Sequence, residues 1–326
     1  MRDSRKSPLL ILLLALFAAA LAVSWFFLPG AGTLPDSGLV RIPWLSSAAA
    51  LACIALAAVS MGMLNYKDFL YTSDVRLLYL PYILSVLCIP GVMHLSVWHI
   101  ASVLMLWSLF YAVRYLNSEE FRADYMFGAM VTAGTASALV PCLTYAQIFI
   151  FLHCLFRRGQ EPMRQLIVSV AGAAVPLVYV VALAFFFPDS FNIGEYAAGY
   201  RDGMALSLPA TGEMPVVGMV WAGFALILGL RAVLFAIYRS RERNKAQKNS
   251  FGLSVALSVI YLLVAVFCRG LENPLLAMTA AVPLCFVVFD LFTNGGKAEV
   301  SVWIVLLLLL AAVSRILEFF PGLLPF

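Results

Sequence analysis

Stretches of about 20 apolar residues, the length a helix needs to cross a hydrocarbon core of about 30 Å, recur along the whole 326-residue chain. They fall near 8–29, 43–64, 77–93, 97–115, 124–140, 142–157, 164–187, 215–238, 251–268, 274–292 and 299–320. Hydrophobic residues make up 63% of the chain and charged ones 12%, with a mean hydropathy of +0.96. A soluble domain has roughly half its residues apolar and about a quarter charged. A globule of this size cannot hide so much apolar surface, so a water-soluble protein is excluded and lipid is the solvent for most of the chain. The expected fold is all-α: one polytopic transmembrane helix bundle of about 11 spans, in the range 9–11, with short loops.

The first run, from Pro8 to Leu28, follows a basic start that includes Arg2, Arg5 and Lys6 and ends on Trp25, Phe26 and Phe27. A signal-peptide core is about 7 to 15 residues long. The run is therefore expected to be an uncleaved first span whose aromatics mark the far interface. Tyr125 to Phe156 is too long to be one straight span, and Pro141 beside Thr144 is the natural corner because proline removes a helical hydrogen bond. Pro90 and Gly91 serve the same purpose between the third and fourth ranges.

Positive loops stay cytoplasmic. With the amino terminus in the cytosol, 16 Lys and Arg fall on the inner side, Arg41, Arg201, Arg269 and Arg315 on the outer side, and Arg231 within a span. With Arg231 counted on the inner side, the inner face carries +7 and the outer face −3, which returns the net +4. This bias predicts an odd number of crossings, a cytoplasmic amino terminus and a periplasmic carboxyl terminus, although the last span could be a half-helix. The basic run from Arg239 to Lys248 is a topology determinant or an anionic-headgroup contact worth about 1 kcal/mol per basic residue. Nothing beyond that cluster points to nucleic acid.

The sizeable connection, 188–214, has Phe191, Ile193, Tyr196, Ala197 and Tyr200 at near-helical spacing. This predicts a short outer interfacial helix near 190–203, either a cover for the bundle or a lid over an outward-facing cavity. Ionisable groups at membrane depth cost at least about 2.5 kcal/mol unless paired or wetted. Arg231 and Asp290 stand near the inner face and form a candidate intramembrane pair, with snorkelling as the alternative. Outer-side charges include Asp36, Asp189, Glu195, Asp202, Arg269 and Glu272, with Arg315 and Glu318 three apart on one face. His94 and His99 flank the hairpin between the third and fourth ranges, and His153 is expected near an inner interface. Cys53, Cys88, Cys142, Cys154, Cys268 and Cys285 all sit in apolar stretches without metal spacing, so neither a disulfide framework, a metal site nor a cofactor is expected.

Two resemblances bear on function. The segment from Arg114 through Phe187, with Ala-Asp-Tyr-Met-Phe-Gly-Ala-Met, Pro-Cys-Leu-Thr-Tyr-Ala-Gln and Phe-Arg-Arg-Gly, resembles an uncharacterised family of multi-pass inner-membrane proteins of Bacteroidota. The stretch from Glu272 to Pro283, followed by Asp290-Leu-Phe-Thr-Asn, is similar to the closing section of that family. The likeness implies a bacterial inner-membrane fold and no activity. The rhythm of paired spans, a basic inner loop and an outer loop also resembles the C-type membrane glycosyltransferases, which use polyprenyl-phosphate sugars. That resemblance would make Asp36, in Leu34-Pro-Asp-Ser-Gly, the catalytic carboxylate and Arg41, Arg201 and Arg269 the lipid-phosphate partners. The short first outer loop, with no second acid, departs from the longer loop of those enzymes.

Three functions follow as expectations. The first is a non-enzymatic cell-envelope component or accessory subunit, suggested by scarce polar groups and compact loops. The second is a divergent glycosyltransferase with a lipid-linked donor at the periplasmic face. The third is a transporter or flippase, for which prolines at Pro81, Pro90, Pro141, Pro176 and Pro283 are the sequence support. The expected partners are the lipid bilayer with polyprenyl phosphate or another envelope membrane protein.

Overall fold

The computed structural model describes residues 43–64, 76–89, 91–158, 161–206, 216–239, 245–268 and 275–319. Among the described residues the chain forms eleven α-helices and no strand. These are α1 (Pro43–Leu64), α2 (Arg76–Leu87), α3 (Val97–Asn117), α4 (Ala123–Leu139), α5 (Thr144–Arg158) and α6 (Pro162–Phe186), then α7 (Ile193–Met204), α8 (Val216–Tyr238), α9 (Lys245–Phe267), α10 (Leu276–Asn294) and α11 (Lys297–Phe319). They occupy ten of the apolar ranges and the connection at 190–203; the first range, 8–29, lies outside the described residues.

Among the described residues seven helices, α1, α3, α6, α8, α9, α10 and α11, are long and apolar enough to cross a membrane, and the fold is an all-α membrane bundle. The other three that fill apolar ranges are shorter. α2, α4 and α5 have 12, 17 and 15 residues, and at about 1.5 Å per residue each falls short of a core of about 30 Å. Their lengths follow from the breakers read in the sequence. The chain turns at Gly91 with φ +75°, a left-handed conformation that favours glycine. At Pro141 a 3-10 turn over Pro141–Leu143 separates α4 from α5.

α10 is the hub. It packs against α2, α3, α8 and α9, and 83% of it is buried, against 17% for α6. A helix apolar on every side belongs inside a bundle. α6 instead turns Ile167, Val170, Val178 and Val181 outward as an apolar face. In lipid, burial of apolar surface gives little drive for helices to associate, so close approach through small residues takes over. α4 supplies Ala129, Ala133, Gly134 and Ala136 on its buried side. α6 answers with Gly172, where an added Cβ would lie 2.9 Å from both Met130 Cβ and the Phe127 carbonyl oxygen.

Contacts at the helix ends sort the charges. Asn249 Nδ2 lies 3.4 Å from Asn117 Oδ1, joining the start of α9 to the end of α3. The Arg164 guanidinium lies 4.7 Å from the Phe121 ring, joining the start of α6 to the α3–α4 connection. Arg239 reaches Asp290 at 3.6 Å and Arg231 reaches Glu299 at 2.7 Å, adding the end of α8, the end of α10 and the start of α11. One end of the bundle therefore collects Arg122, Arg164, Arg231, Arg239, Lys245 and Lys297. Arg201 and Arg315 belong to the opposite end, where the α2–α3 turn, the α4–α5 turn and α7 lie.

Candidate functional site

α7 begins where the Asn192 side chain accepts hydrogen bonds from the Gly194 and Glu195 amides at 2.9 and 3.4 Å, a capping arrangement for helix N-termini. Its tyrosines hold it across the α4–α5 turn. The Tyr196 hydroxyl donates to the Ala138 carbonyl at 2.8 Å, near the end of α4 where helical carbonyls run out of amide partners. Tyr145 returns the arrangement, its hydroxyl donating at 2.8 Å to the carbonyl of Met204, the last residue of α7. Tyr200 and Thr144 share a 2.6 Å hydrogen bond between their hydroxyls. Burial pushes the Tyr196 phenol pKa up. Gly203 seats against Pro141, whose Cβ would be 3.0 Å from an added Cβ. The opposite side of α7 carries Glu195, Arg201 and Asp202, all exposed.

Beneath α7, between α4, α5 and α6, lies a cavity of about 310 Å³, at the small end of the roughly 300–1,000 Å³ range of ligand pockets. Its polar lining is neutral: Ser137, Thr144, Gln147, Ser169 and Tyr200. Ser137 Oγ lies 2.7 Å from Gln147 Oε1 and also 2.9 and 3.1 Å from the Ala133 and Gly134 carbonyls of its own helix, three acceptors for one proton. Ser169 Oγ donates to the Gln165 carbonyl at 2.7 Å. Gln165 itself is 1% exposed, and its Nε2 has no hydrogen-bond partner. The mouth lies between α5 and α6, where Ile148, Leu166, Val170 and Leu177 are exposed. A second concavity, about 340 Å³, lies over α10 between α8 and α9 and is lined almost wholly by apolar side chains such as Ala225, Val259 and Leu284.

The residues singled out in the sequence have separate fates. Asp36, Arg41 and Arg269, with Glu272, lie outside the described residues. Arg201 is on the exposed side of α7, 82% accessible, with Asp202 at 3.4 Å. Arg231 and Asp290, expected as a pair, have different partners. Arg231 holds Glu299 on α11 through Nε and Nη2, at 2.7 and 3.0 Å. Asp290 is bound by Arg239 at 3.6 Å and by Asn294 at 2.8 Å. The reason is adjacency: α8 turns successive faces to α11 and α10, and Arg239, two turns beyond Arg231, meets Asp290.

At the opposite end, Arg315 is buried and donates from Nη2 to the Ile89 carbonyl. His99 accepts from the Ser96 amide at Nδ1, 3.2 Å, so its Nε2 carries the proton donated to the Val92 carbonyl at 2.8 Å. It braces the α2–α3 turn. The cysteines carry no disulfide, and no cluster of three or more His, Cys, Asp or Glu suited to a metal occurs among the described residues. Sequence reasoning missed Tyr145, Gln147 and Ser169. Their signal was faint: uncharged hydrogen-bonding side chains within apolar helices, on faces that only the packing of α4, α5 and α6 brings together.

No protein-family model, curated protein or solved structure matches this chain.

Proposed function

We propose that this protein is a non-enzymatic component of a bacterial inner membrane, an accessory or scaffolding subunit that works by associating with another envelope membrane protein. In this reading the amino terminus and the basic end of the bundle are cytoplasmic, since Lys and Arg are retained on that side. The supporting observation is the pairing of charges at the basic end of the bundle. Arg231 holds Glu299 and Arg239 holds Asp290, stitching α8 to α11 and α10. Paired in this way, these charges brace the bundle by tying α8 to its neighbours. The wide apolar faces of α6 and α8 are then available to lipid and to a partner's helices.

The test is site-specific photo-cross-linking in cells at Val178 on α6 and at Leu230 on α8, which are 64% and 61% exposed. A photoreactive residue at one of these positions is expected to give a single discrete protein adduct that the other does not. Protein adducts at neither position, or turnover of a lipid-linked sugar donor by the purified chain, would overturn the proposal.

A further inference from the structure

We infer that the cavity under α7 is a binding site for an uncharged lipid whose head carries hydroxyl or carbonyl oxygens and whose hydrocarbon chain leaves sideways between α5 and α6. This goes beyond the accessory role and does not depend on it. The polar groups define the head. Gln147 brings a side-chain amide, donor and acceptor both, to the lining, 2.7 Å from the Ser137 hydroxyl. Ser169 gives its proton to the Gln165 carbonyl and keeps oxygen lone pairs for a hydroxyl. The Thr144–Tyr200 hydroxyl pair closes the end beneath α7.

Charge excludes the commoner headgroups. None of the residues lining the cavity is ionisable in the physiological range. An ionised phosphate or ammonium moved there from water would lose its hydration without a countercharge. Neutral hydroxyls and ester carbonyls match the donors and acceptors present. The shape sets the tail. About 310 Å³ holds a small head and the start of a chain, not a whole lipid. Met130, Ala138 and Ala173 continue the apolar lining inward from a mouth formed by Ile148, Phe151, Leu166, Val170 and Leu177. That mouth borders the exposed apolar face of α6 that carries Ile167 and Val178.

The experiment uses the purified full chain in nanodiscs doped with one of two photoactivatable lipids of identical chains, a diacylglycerol or a phosphatidylglycerol. The diacylglycerol is expected to label peptides of α5 and α6, and the phosphatidylglycerol to label them several-fold less. Gln147→Leu, which removes the donors, is expected to lower diacylglycerol labelling by about tenfold, the value of one hydrogen bond of roughly 1.4 kcal/mol. Ile148→Trp, at an exposed position on the mouth, should abolish it without changing the melting temperature. Equal labelling by both lipids, or labelling indifferent to Ile148→Trp in a folded protein, would overturn the site. If Gln147→Leu fails to fold, the Ile148→Trp arm still decides.

Discussion

Arg231 illustrates how a cation survives inside an apolar helix. Its side chain is 42% exposed and Glu299 is 29% exposed, so water screens the pair, and its value is that of a partly wetted salt bridge, about 1 kcal/mol. Arg231→Ala is expected to lower the unfolding midpoint in detergent by the equivalent of that amount. Arg231→Ala with Glu299→Ala should cost less than the sum of the single substitutions, because each single change strands the other charge. Additive effects in this cycle would deny the pairing. The sequence made Arg231 and Asp290 conspicuous because charges are rare in apolar runs. It could not choose their partners, since both α10 and α11 bring an acid to the same end and only the packing of α8 decides between them. The neutral residues of the cavity were illegible for the converse reason: a glutamine or serine in an apolar helix is usually accommodated by its own backbone, as Ser254 and Ser258 are here.

At the scale of elements, most of the described helices were legible to within two or three residues from length and hydropathy, but α2 stops six residues short of its expected end and α9 begins six residues early, in the polar stretch from Lys245 to Ser250 that hydropathy does not mark. The interruptions at Gly91 and Pro141 were legible because each is a local property of the backbone. The docking of α7 was only half legible. The spacing of Phe191, Tyr196 and Tyr200 marks one aromatic face, but their hydrogen-bond partners lie more than fifty residues away in α4 and α5. Those bonds make α7 a fastened cover and not a loosely adsorbed helix. Tyr196→Phe keeps the ring and removes the donor to Ala138, leaving a carbonyl unpaired at the end of α4, at a cost of about 1 kcal/mol. Hydrogen–deuterium exchange is the appropriate measurement. Amides of 193–204 are expected to exchange severalfold faster in the variant while α10 is unchanged. Uniform exchange across both segments would show that α7 contributes nothing of its own.

Across the whole molecule, charge and packing point the same way. The sidedness inferred from counting Lys and Arg requires every basic connection to lie at one end of the bundle. A chain with one span misjudged would scatter them. Among the described residues, the neutral contact between Asn117 and Asn249, with the charged contacts of Arg164 on Phe121 and Arg239 on Asp290, gathers the α3–α4, α8–α9 and α10–α11 connections and the start of α6 at one end. Which end is cytoplasmic then has a direct test, because both ends offer exposed positions. Lys248 stands at the start of α9 and Arg201 on the outer side of α7, and both are exposed. In a background lacking the native cysteines, a membrane-impermeant maleimide is expected to label Arg201→Cys in cells with a permeabilised outer membrane. Lys248→Cys should react only once the inner membrane is breached. The reverse pattern would invert the bundle, put α7 and its cavity on the cytoplasmic side, and mean that basic residues fail to set the orientation of this chain. Reaction of both from the same side would mean that the two ends do not face opposite compartments, and the bundle would then not span the membrane as its helices require.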